Sequence, residues 1–312
     1  MKLPIKEDFP PMSFCETVRK SHPDMRILIN EPLSRHTTFK VGGPADVMAF
    51  PKNEEELSFL YRAAKEEQIP VTVIGNGSNL VVRDGGIRGL TIVLGEEFSG
   101  IEVDGAIITA RAGELLSRIA RTAYNHALTG LEFASGIPGS LGGGMAMNAG
   151  AYGGQLSDVC VSARVFNPET GEIQTFSKDE LALGYRTSMP LKTGSIVTEA
   201  TFELKAGDKE AILRTMEDLN ARRREKQPLA YPSAGSTFKR PEGYFAGALI
   251  EGANLKGASV GGAQVSTLHA GFIINTGNAT AKDILDLIKH VQNTVFEKYG
   301  VNLETEVRVL GE

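Results

Sequence analysis

The stretch SGIPGSLGGGMAMNAGAYGG, residues 135–154, decides how the rest of the chain can be arranged. It is too rich in glycine for a helix interior or a central strand, because glycine loses the most backbone entropy on folding. Glycine also lets main-chain amides approach a ligand closely. A flexible linker is the alternative, but linkers are polar, whereas Ile137, Leu141 and Met145 favour burial. We therefore predict the wall of a large planar or polyanionic cofactor.

A second glycine loop, GNGSNL at residues 75–80, follows a predicted strand at residues 71–74. A strand at residues 45–50 and a helix capped by Asn53 come before it, so a βαβ unit leads into the loop. Loops in this position commonly hold nucleotide phosphates. Leu80 replaces the third glycine of a dinucleotide fingerprint and no GK[ST] follows, so neither a Rossmann fingerprint nor a P-loop is indicated. An ordinary tight turn is the alternative.

The remaining patterns predict two small α+β lobes, each with one glycine loop, and a third region after them. In the second lobe we predict a hairpin at Asp104-Gly105, helices at residues 114–126 and 179–183, and strands at residues 159–166, 172–176 and 196–204. The third region is predicted to contain helices at residues 208–226 and 280–299, with Gly300 ending the second, and a strand at residues 303–310 with Glu304 and Glu306 on one face. A large cofactor between the two lobes explains why both carry glycine loops.

Composition limits the classes of function. With 312 residues, 41% hydrophobic and 23% charged, the chain is long enough for two or three globular domains. A formal net charge of -5 disfavours a general nucleic-acid groove. Cys15 and Cys160 are far apart, so neither a disulfide framework nor a metal site is indicated. No run of about 18 uncharged apolar residues occurs, and we expect a soluble, cytoplasmic protein that does not bind membranes.

Seven motifs in one unbroken order resemble the UDP-N-acetylenolpyruvoylglucosamine reductase (MurB) family, and in particular its shorter type II branch. They are HTTFKVGGPADV (36–47), GNGSNL (75–80), GIPGSLGGGMAMNAGAYGG (136–154), GYRTS (184–188), KQPLAYPSAGSTFKRP (226–241), GGAQVSTLHAGFIIN (261–275) and ETEVRVLG (304–311). Seven ordered motifs are far more specific than any one of them.

The resemblance implies an α+β fold of the FAD-binding PCMH or vanillyl-alcohol-oxidase type. Residues 1–30 would be an N-terminal extension, 31–98 and 99–207 two FAD-binding subdomains, and 208–312 a substrate-binding domain. By the same resemblance, FAD would be bound without a covalent link. Its pyrophosphate would lie on Gly75, Asn76, Gly77, Ser78 and Asn79, and the turn formed by Gly136, Ile137, Gly139 and Ser140 would lie along the cofactor.

The resemblance also implies a reaction. NADPH would reduce FAD, and a hydride would then pass to the enolpyruvyl C3 of UDP-N-acetylenolpyruvoylglucosamine, giving UDP-N-acetylmuramate for peptidoglycan synthesis. Ser236 would donate a proton to C2, while Arg186 and Glu306 would stabilise the intermediate. The corresponding substrate contacts are Tyr152, Lys226 and His269. Arg240 departs from the family's FKNP form, where an asparagine stands, which puts its role in doubt.

Each of these residues also has a structural interpretation. Arg186 and Glu306 each suit one half of a structural ion pair, with no partner specified, Ser236 suits a turn, and His269 suits a partly buried, hydrogen-bonded site. Two other functions stay open: a flavin oxidase that reacts with O₂, and a flavin-binding module without catalysis. The choice of NADPH depends on the resemblance alone.

Overall fold

The computed structural model describes residues 12–312, so the first eleven residues of the predicted extension lie outside the described part. The rest of that extension belongs to the first lobe. Phe14 and Val18 of the first helix are fully buried in the same core as Leu57 and Leu60. The first strand pairs antiparallel with the second, and the predicted boundary at residue 30 falls inside it. The division into domains stays a prediction.

The first lobe contains a four-stranded sheet, two helices and one short strand, Leu80–Val82, that lies outside this sheet. Its elements are α1 (Met12–Ser21), β1 (Arg26–Pro32), β2 (Pro44–Phe50), α2 (Glu54–Glu66), β3 (Val71–Ile74), β4 (Leu80–Val82) and β5 (Ile87–Val93). The strand order is β1-β2-β5-β3, with the last three parallel. Asn53 caps α2 as predicted, because its side chain accepts a hydrogen bond from the amide of Glu56. β3 ends where the GNGSNL loop begins.

The second lobe is an antiparallel five-stranded sheet covered by helices. Its elements are β6 (Ile101–Asp104), β7 (Ile107–Arg111), α3 (Leu116–Asn125), β8 (Leu128–Thr129), α4 (Leu141–Ala146), β9 (Gly150–Ala151), β10 (Gly154–Gln155), β11 (Cys160–Phe166), β12 (Ile173–Ser177), α5 (Met189–Thr193), β13 (Ile196–Glu203), β14 (Lys205–Ala206) and α6 (Lys209–Lys226). The order of the large sheet is β12-β11-β13-β7-β6. The helix α6 was predicted in the third region, but its residues Ile212 and Met216 are buried in the core of this lobe. The predicted hairpin is confirmed, although its two-residue loop is Gly105-Ala106, one position later than predicted, because Asp104 pairs with Ile107.

The glycine-rich stretch contains a helix, and the prediction that it could not was wrong. α4 runs through Gly142, Gly143 and Gly144. A Cβ on Gly142 would lie 3.0 Å from the Cβ of Ala112, and one on Gly144 would lie 3.0 Å from Leu116 Cδ1. Both contacts would be tight, so glycine lets this short helix pack closely against the sheet and α3. Tertiary packing therefore outweighs the low helix propensity of glycine.

The helix predicted at residues 179–183 is also wrong, because these residues form turns. Glu180 accepts hydrogen bonds from both the amide and the hydroxyl of Ser177, which closes a local turn. The helix of this segment is α5, which begins later. Ser188 caps α5 by accepting from the amide of Leu191, and Pro190 occupies its first turn.

The third region contains α7 (Ala246–Gly252), β15 (Ser259–Val260), β16 (Ala263–Val265), β17 (Ile273–Asn275), α8 (Ala281–Tyr299) and β18 (Arg308–Leu310). The long helix α8 was predicted correctly. Thr280 and Asp283 form a capping box at its start, and Gly300, with φ of 68°, ends it. One apolar stripe of α8 is buried, and it contains Ile284, Leu287, Ile288, Val291 and Val295.

The last strand is shorter than predicted and joins the first lobe. β18 pairs in parallel with β4, with Arg308 opposite Leu80. Residues 303–307 are not a strand, so the shared face predicted for Glu304 and Glu306 is wrong. The Glu304 side chain is 74% exposed and pairs with Lys239, whereas that of Glu306 is 12% exposed. Among the helices of residues 12–312, none is both long and apolar enough to cross a membrane.

Candidate active site

A large cavity of about 590 Å³ lies among the first lobe, the second lobe and the start of the third region. Eight of the nine residues predicted to hold a cofactor line this large cavity. They are Gly75, Asn76, Gly77, Ser78, Asn79, Ile137, Gly139 and Ser140. Two glycine loops that are separated by some sixty positions in the sequence therefore form one wall.

The two glycine loops contact each other directly. Ser140 Oγ accepts a hydrogen bond from the amide of Asn76 at 3.2 Å. Gly75 makes this approach possible, because a Cβ there would overlap the Ser140 hydroxyl. Gly77 has φ of 64°, and a Cβ on it would overlap the carbonyl oxygen of His36. Both glycines therefore fix the loop that faces the large cavity.

Gly136 is the one predicted cofactor residue outside the lining of the large cavity. It lies at the end of a 3₁₀ turn and faces α6, where a Cβ would lie 3.1 Å from Cδ of Arg223. The glycine lets α6 approach the loop closely, and Arg223 lines the large cavity. Gly136 thus contributes to packing behind the wall.

Two residues that the sequence analysis missed complete the wall. Arg223 is half-buried, and burial lowers the pKa of its guanidinium, which stays charged at neutral pH. Gln227 Oε1 is buried and has no hydrogen-bond partner within residues 12–312. Both line the large cavity. The basic end of α6 is a typical solvated helix terminus in sequence, so the pattern gave no reason to single out Arg223.

Arg186 and Glu306 form a partly buried ion pair. Arg186 Nε lies 2.5 Å from Glu306 Oε1, and the two side chains are 20% and 12% exposed. Arg186 also donates from Nη2 to the carbonyl oxygen of Gly150 at 3.5 Å. Burial raises the pKa of the Glu306 carboxyl, while the charge of Arg186 acts in the opposite direction. The carboxyl therefore keeps its proton to a higher pH than an exposed glutamate does.

Hydrogen bonds of the neighbouring residue Thr237 fix the segment that carries Ser236 beside this pair. The amide of Glu306 donates to the carbonyl oxygen of Thr237 at 2.8 Å, and the fully buried Thr237 hydroxyl accepts from the amide of Ile273 at 3.1 Å. Asn79 Nδ2 donates to the carbonyl oxygen of Glu306 at 3.0 Å. The segments that carry Ser236 and Glu306 are thus fixed to each other and to the first glycine loop.

A small cavity of about 390 Å³ meets the large cavity at these residues. Arg186, Ser236 and Glu306 line both cavities. The small cavity is otherwise lined by third-region residues, including Phe238, Arg240, Phe245 and Glu251, and by Tyr185. The three predicted catalytic side chains therefore lie together at the junction of two chambers.

The predicted substrate residues are more scattered. His269 lines the small cavity, and its Nδ1 accepts from the amide of Gly271 at 3.1 Å. Burial lowers the pKa of His269, which favours the neutral ring. Tyr152 is 44% exposed and Lys226 is exposed, and both lie outside the linings of the two cavities. The structure therefore brings one of the three to the site.

Comparisons with known proteins agree with this geometry. A family model described as an FAD binding domain matches residues 45–177, and one described as the C-terminal domain of UDP-N-acetylenolpyruvoylglucosamine reductase matches residues 227–310. The reductase of Alkaliphilus oremlandii is 50% identical over 297 residues, which cover 95% of this chain and 97% of that protein. The reductase of Levilactobacillus brevis is 53% identical over 295 residues, covering 95% and 96%.

A solved structure is similar over almost the whole chain. The crystal structure of UDP-N-acetylenolpyruvylglucosamine reductase (MurB) from Thermus caldophilus is 37% identical, with a TM-score of 0.78, and the match covers 91% of this chain and 98% of that one. The matches confirm the predicted fold class, an α+β FAD-binding fold of the PCMH type with a C-terminal α+β domain. The chain belongs to the UDP-N-acetylenolpyruvoylglucosamine reductase family of FAD-binding oxidoreductases.

Proposed function

We propose that the chain reduces UDP-N-acetylenolpyruvoylglucosamine to UDP-N-acetylmuramate, with FAD in the large cavity and NADPH as the reductant. One observation carries the proposal: a guanidinium, a hydroxyl and a carboxyl meet where the two cavities join. Neither oxidation of an alcohol nor storage of a flavin requires that set. The cytoplasmic location, the contacts of Tyr152 and Lys226 and the use of NADPH stay predictions from the sequence.

The chemistry of the large cavity suits FAD. Its glycine loops present main-chain amides, which suit a pyrophosphate, and Arg223 adds a positive charge to the wall. The unpaired Gln227 Oε1 is an acceptor that hydroxyl or N–H groups of the cofactor would satisfy. When bound and reduced, FAD supplies the hydride. The chain's own residues bind the substrate, stabilise the developing negative charge and supply the proton.

Arg186 is suited to hold the carboxylate of the substrate and to stabilise the charge that develops beside it. Its Nε–H is engaged with Glu306, and the guanidinium carries further N–H donors in a fixed plane. Because the pair is largely shielded from water, its field at the junction is stronger than that of an exposed pair. Glu306 orients the guanidinium through this ion pair, and burial raises the pKa of its carboxyl while the charge of Arg186 opposes that shift.

Ser236 is suited to deliver the proton to C2. A serine hydroxyl is a weak acid, so the transfer requires a strongly basic carbon or enolate and a fixed geometry. Thr237 supplies that fixation, because its backbone and its hydroxyl are bound on both sides. Ser236 lines both cavities, so one hydroxyl faces the junction from the third region.

The small cavity is suited to the nucleotide part of the substrate. Arg240 lies over the ring of Phe245 at 4.0 Å, and its amide donates to the Tyr185 hydroxyl at 3.0 Å. A guanidinium held by an aromatic ring is preorganised for a diphosphate. We therefore propose that Arg240 contacts the substrate although the family's asparagine is replaced, and that it does so as a cation.

The function is tested by anaerobic spectroscopy of the purified protein. NADPH should bleach the flavin absorbance, and subsequent addition of UDP-N-acetylenolpyruvoylglucosamine should restore it without O₂. Reoxidation by O₂ alone would indicate an oxidase. A flavin spectrum that NADPH cannot bleach would indicate a binding module, and either result would contradict the proposal.

Gly77→Ala should weaken FAD binding by on the order of tenfold or more. Alanine at φ of 64° costs roughly 1–2 kcal/mol, and its Cβ would also overlap the His36 carbonyl and shift the loop. The measurement is the dissociation constant of FAD for deflavinated protein. Gly171→Ala is the matched control, since Gly171 has φ of 76° and a Cβ there would meet no atom of the described chain within 4 Å. Equal losses in both variants would contradict a cofactor role for the loop.

Ser236→Ala should leave reduction of the flavin by NADPH unchanged and slow its reoxidation by the substrate about 10²- to 10⁴-fold, the usual range for a lost proton donor. The two half-reactions are measured separately by stopped-flow absorbance. Unchanged rates in both half-reactions would exclude Ser236 as the donor.

Glu306→Gln should slow the same reoxidation on the order of 10²-fold or more, since it removes the charge that orients Arg186 in a shielded site. Glu304→Gln provides the control, because Glu304 lies two residues away and forms an exposed pair with Lys239. We expect the control to retain near-normal turnover. Similar losses for the two variants would remove the argument for Glu306.

A further inference from the structure

The end of α4 is joined to the turn that carries Arg186 by three hydrogen bonds. They run from Ser188 Oγ to the carbonyl oxygen of Ala146 at 2.8 Å, from Asn148 Nδ2 to that of Gly184 at 3.2 Å, and from Arg186 Nη2 to that of Gly150 at 3.5 Å. Residues 146–150 therefore contact the segment 184–188 before, at and after the arginine. This part of the glycine-rich stretch has a role beyond forming the cavity wall.

Asn148 is the most constrained residue of this segment. Its side chain is 1% exposed and lines neither cavity. Oδ1 accepts from the amide of Ser157 at 2.9 Å, and Nδ2 lies 3.1 Å from the Ser157 hydroxyl and 3.3 Å from Gln155 Oε1. The backbone has φ of 42°, which asparagine tolerates better than most residues. Ser157 and Gln155 therefore fix the side-chain amide, and its Nδ2 also donates to the carbonyl oxygen of Gly184.

The turn that Asn148 holds places Arg186 in an unfavourable conformation. Arg186 has φ of 54°, and a left-handed conformation of a non-glycine residue persists only where the surroundings enforce it. Gly184 and Thr187 exchange two main-chain hydrogen bonds, of 3.0 and 3.3 Å, across the turn. The carbonyl oxygen of Gly184 accepts from both Thr187 and Asn148. Loss of the Asn148 amide would therefore loosen the base of the turn.

We propose that Asn148 is a positioning residue for the reaction. Its side-chain amide fixes the turn at residues 184–187. This turn directs the Arg186 guanidinium towards Glu306 and the junction of the cavities. The inference rests on the function proposed above, because it requires Arg186 to act on the substrate. Asn148 itself contacts neither cavity.

The test uses Asn148→Gly in the FAD-loaded protein. Glycine adopts φ of 42° without strain, so the variant keeps the backbone conformation while it removes the side-chain hydrogen bonds to Gly184, Ser157 and Gln155. We expect reoxidation of the reduced flavin by the substrate to slow on the order of 10- to 100-fold, the cost of a small misplacement of a catalytic group. FAD content and reduction by NADPH should stay at the level of the unmodified protein. Asn30→Gly is the matched control, with φ of 56° on the distant strand β1, and should leave all rates unchanged.

A double-mutant cycle separates positioning from general destabilisation. If Asn148 acts through Arg186, then Asn148→Gly should have little further effect in the Arg186→Ala background, both on reoxidation and on substrate affinity measured by calorimetry. Additive effects would show that Asn148 acts elsewhere and would overturn the inference. Loss of FAD from Asn148→Gly would overturn it as well, because the effect would then be structural.

The failure of this inference can be told from the failure of the proposed function. If Arg186→Ala slows reoxidation of the flavin by the substrate and Asn148→Gly leaves that rate unchanged, only the role of Asn148 is overturned. An Arg186→Ala variant with normal reoxidation overturns the proposed function first. Should Asn148→Gly not fold, Asn148→Asp replaces it, since aspartate tolerates the same backbone conformation and retains the acceptor for Ser157 while lacking the donor for Gly184. A normal rate in Asn148→Asp would contradict the inference.

Discussion

The parallel pairing of β18 with β4 is the contact on which the site depends. It joins Arg308 to Leu80, across more than two hundred residues, directly after the first glycine loop. Asn79 adds two hydrogen bonds to this contact. Its carbonyl oxygen accepts from the amide of Arg308, and its side chain donates to the carbonyl oxygen of Glu306. The loop closure costs entropy, which burial in a shared core offsets: Phe39 and Val81 pack with Val307 and other third-region residues.

The ion pair at the junction is better explained by function than by stability. Removing two charges from water costs several kcal/mol per ion in typical proteins, and a well-packed apolar pair would often be as stable. Arg186 also adopts a left-handed backbone, so the position carries conformational cost as well as desolvation cost. Arg186 carries both costs and lines both cavities, which is typical of a residue that is retained because it binds a ligand.

Local features could be predicted from the sequence, whereas contacts between distant segments could not. The GNGSNL loop, the cap at Asn53 and the end of α8 at Gly300 depend on neighbouring residues. The meeting of Arg186 with Glu306, 120 positions apart, follows from no periodicity and was predicted only from the family motifs. Arg223 and Gln227 were missed because their role depends on how α6 packs against Gly136. The helix α4 was missed because glycine was interpreted only as an adaptation to a ligand.

The glycines of α4 connect the fold to the chemistry. Gly142 and Gly144 have no Cβ, so the helix lies close to Ala112 and Leu116. This close packing sets the position of the residues that follow α4, including Asn148. A methyl group at either glycine would move the helix outward by a few tenths of an ångström, and the hydrogen bonds to the Arg186 turn would shift with it. The glycines of α4 are therefore constrained twice, because they line the large cavity and their packing sets the position of the residues that hold the Arg186 turn.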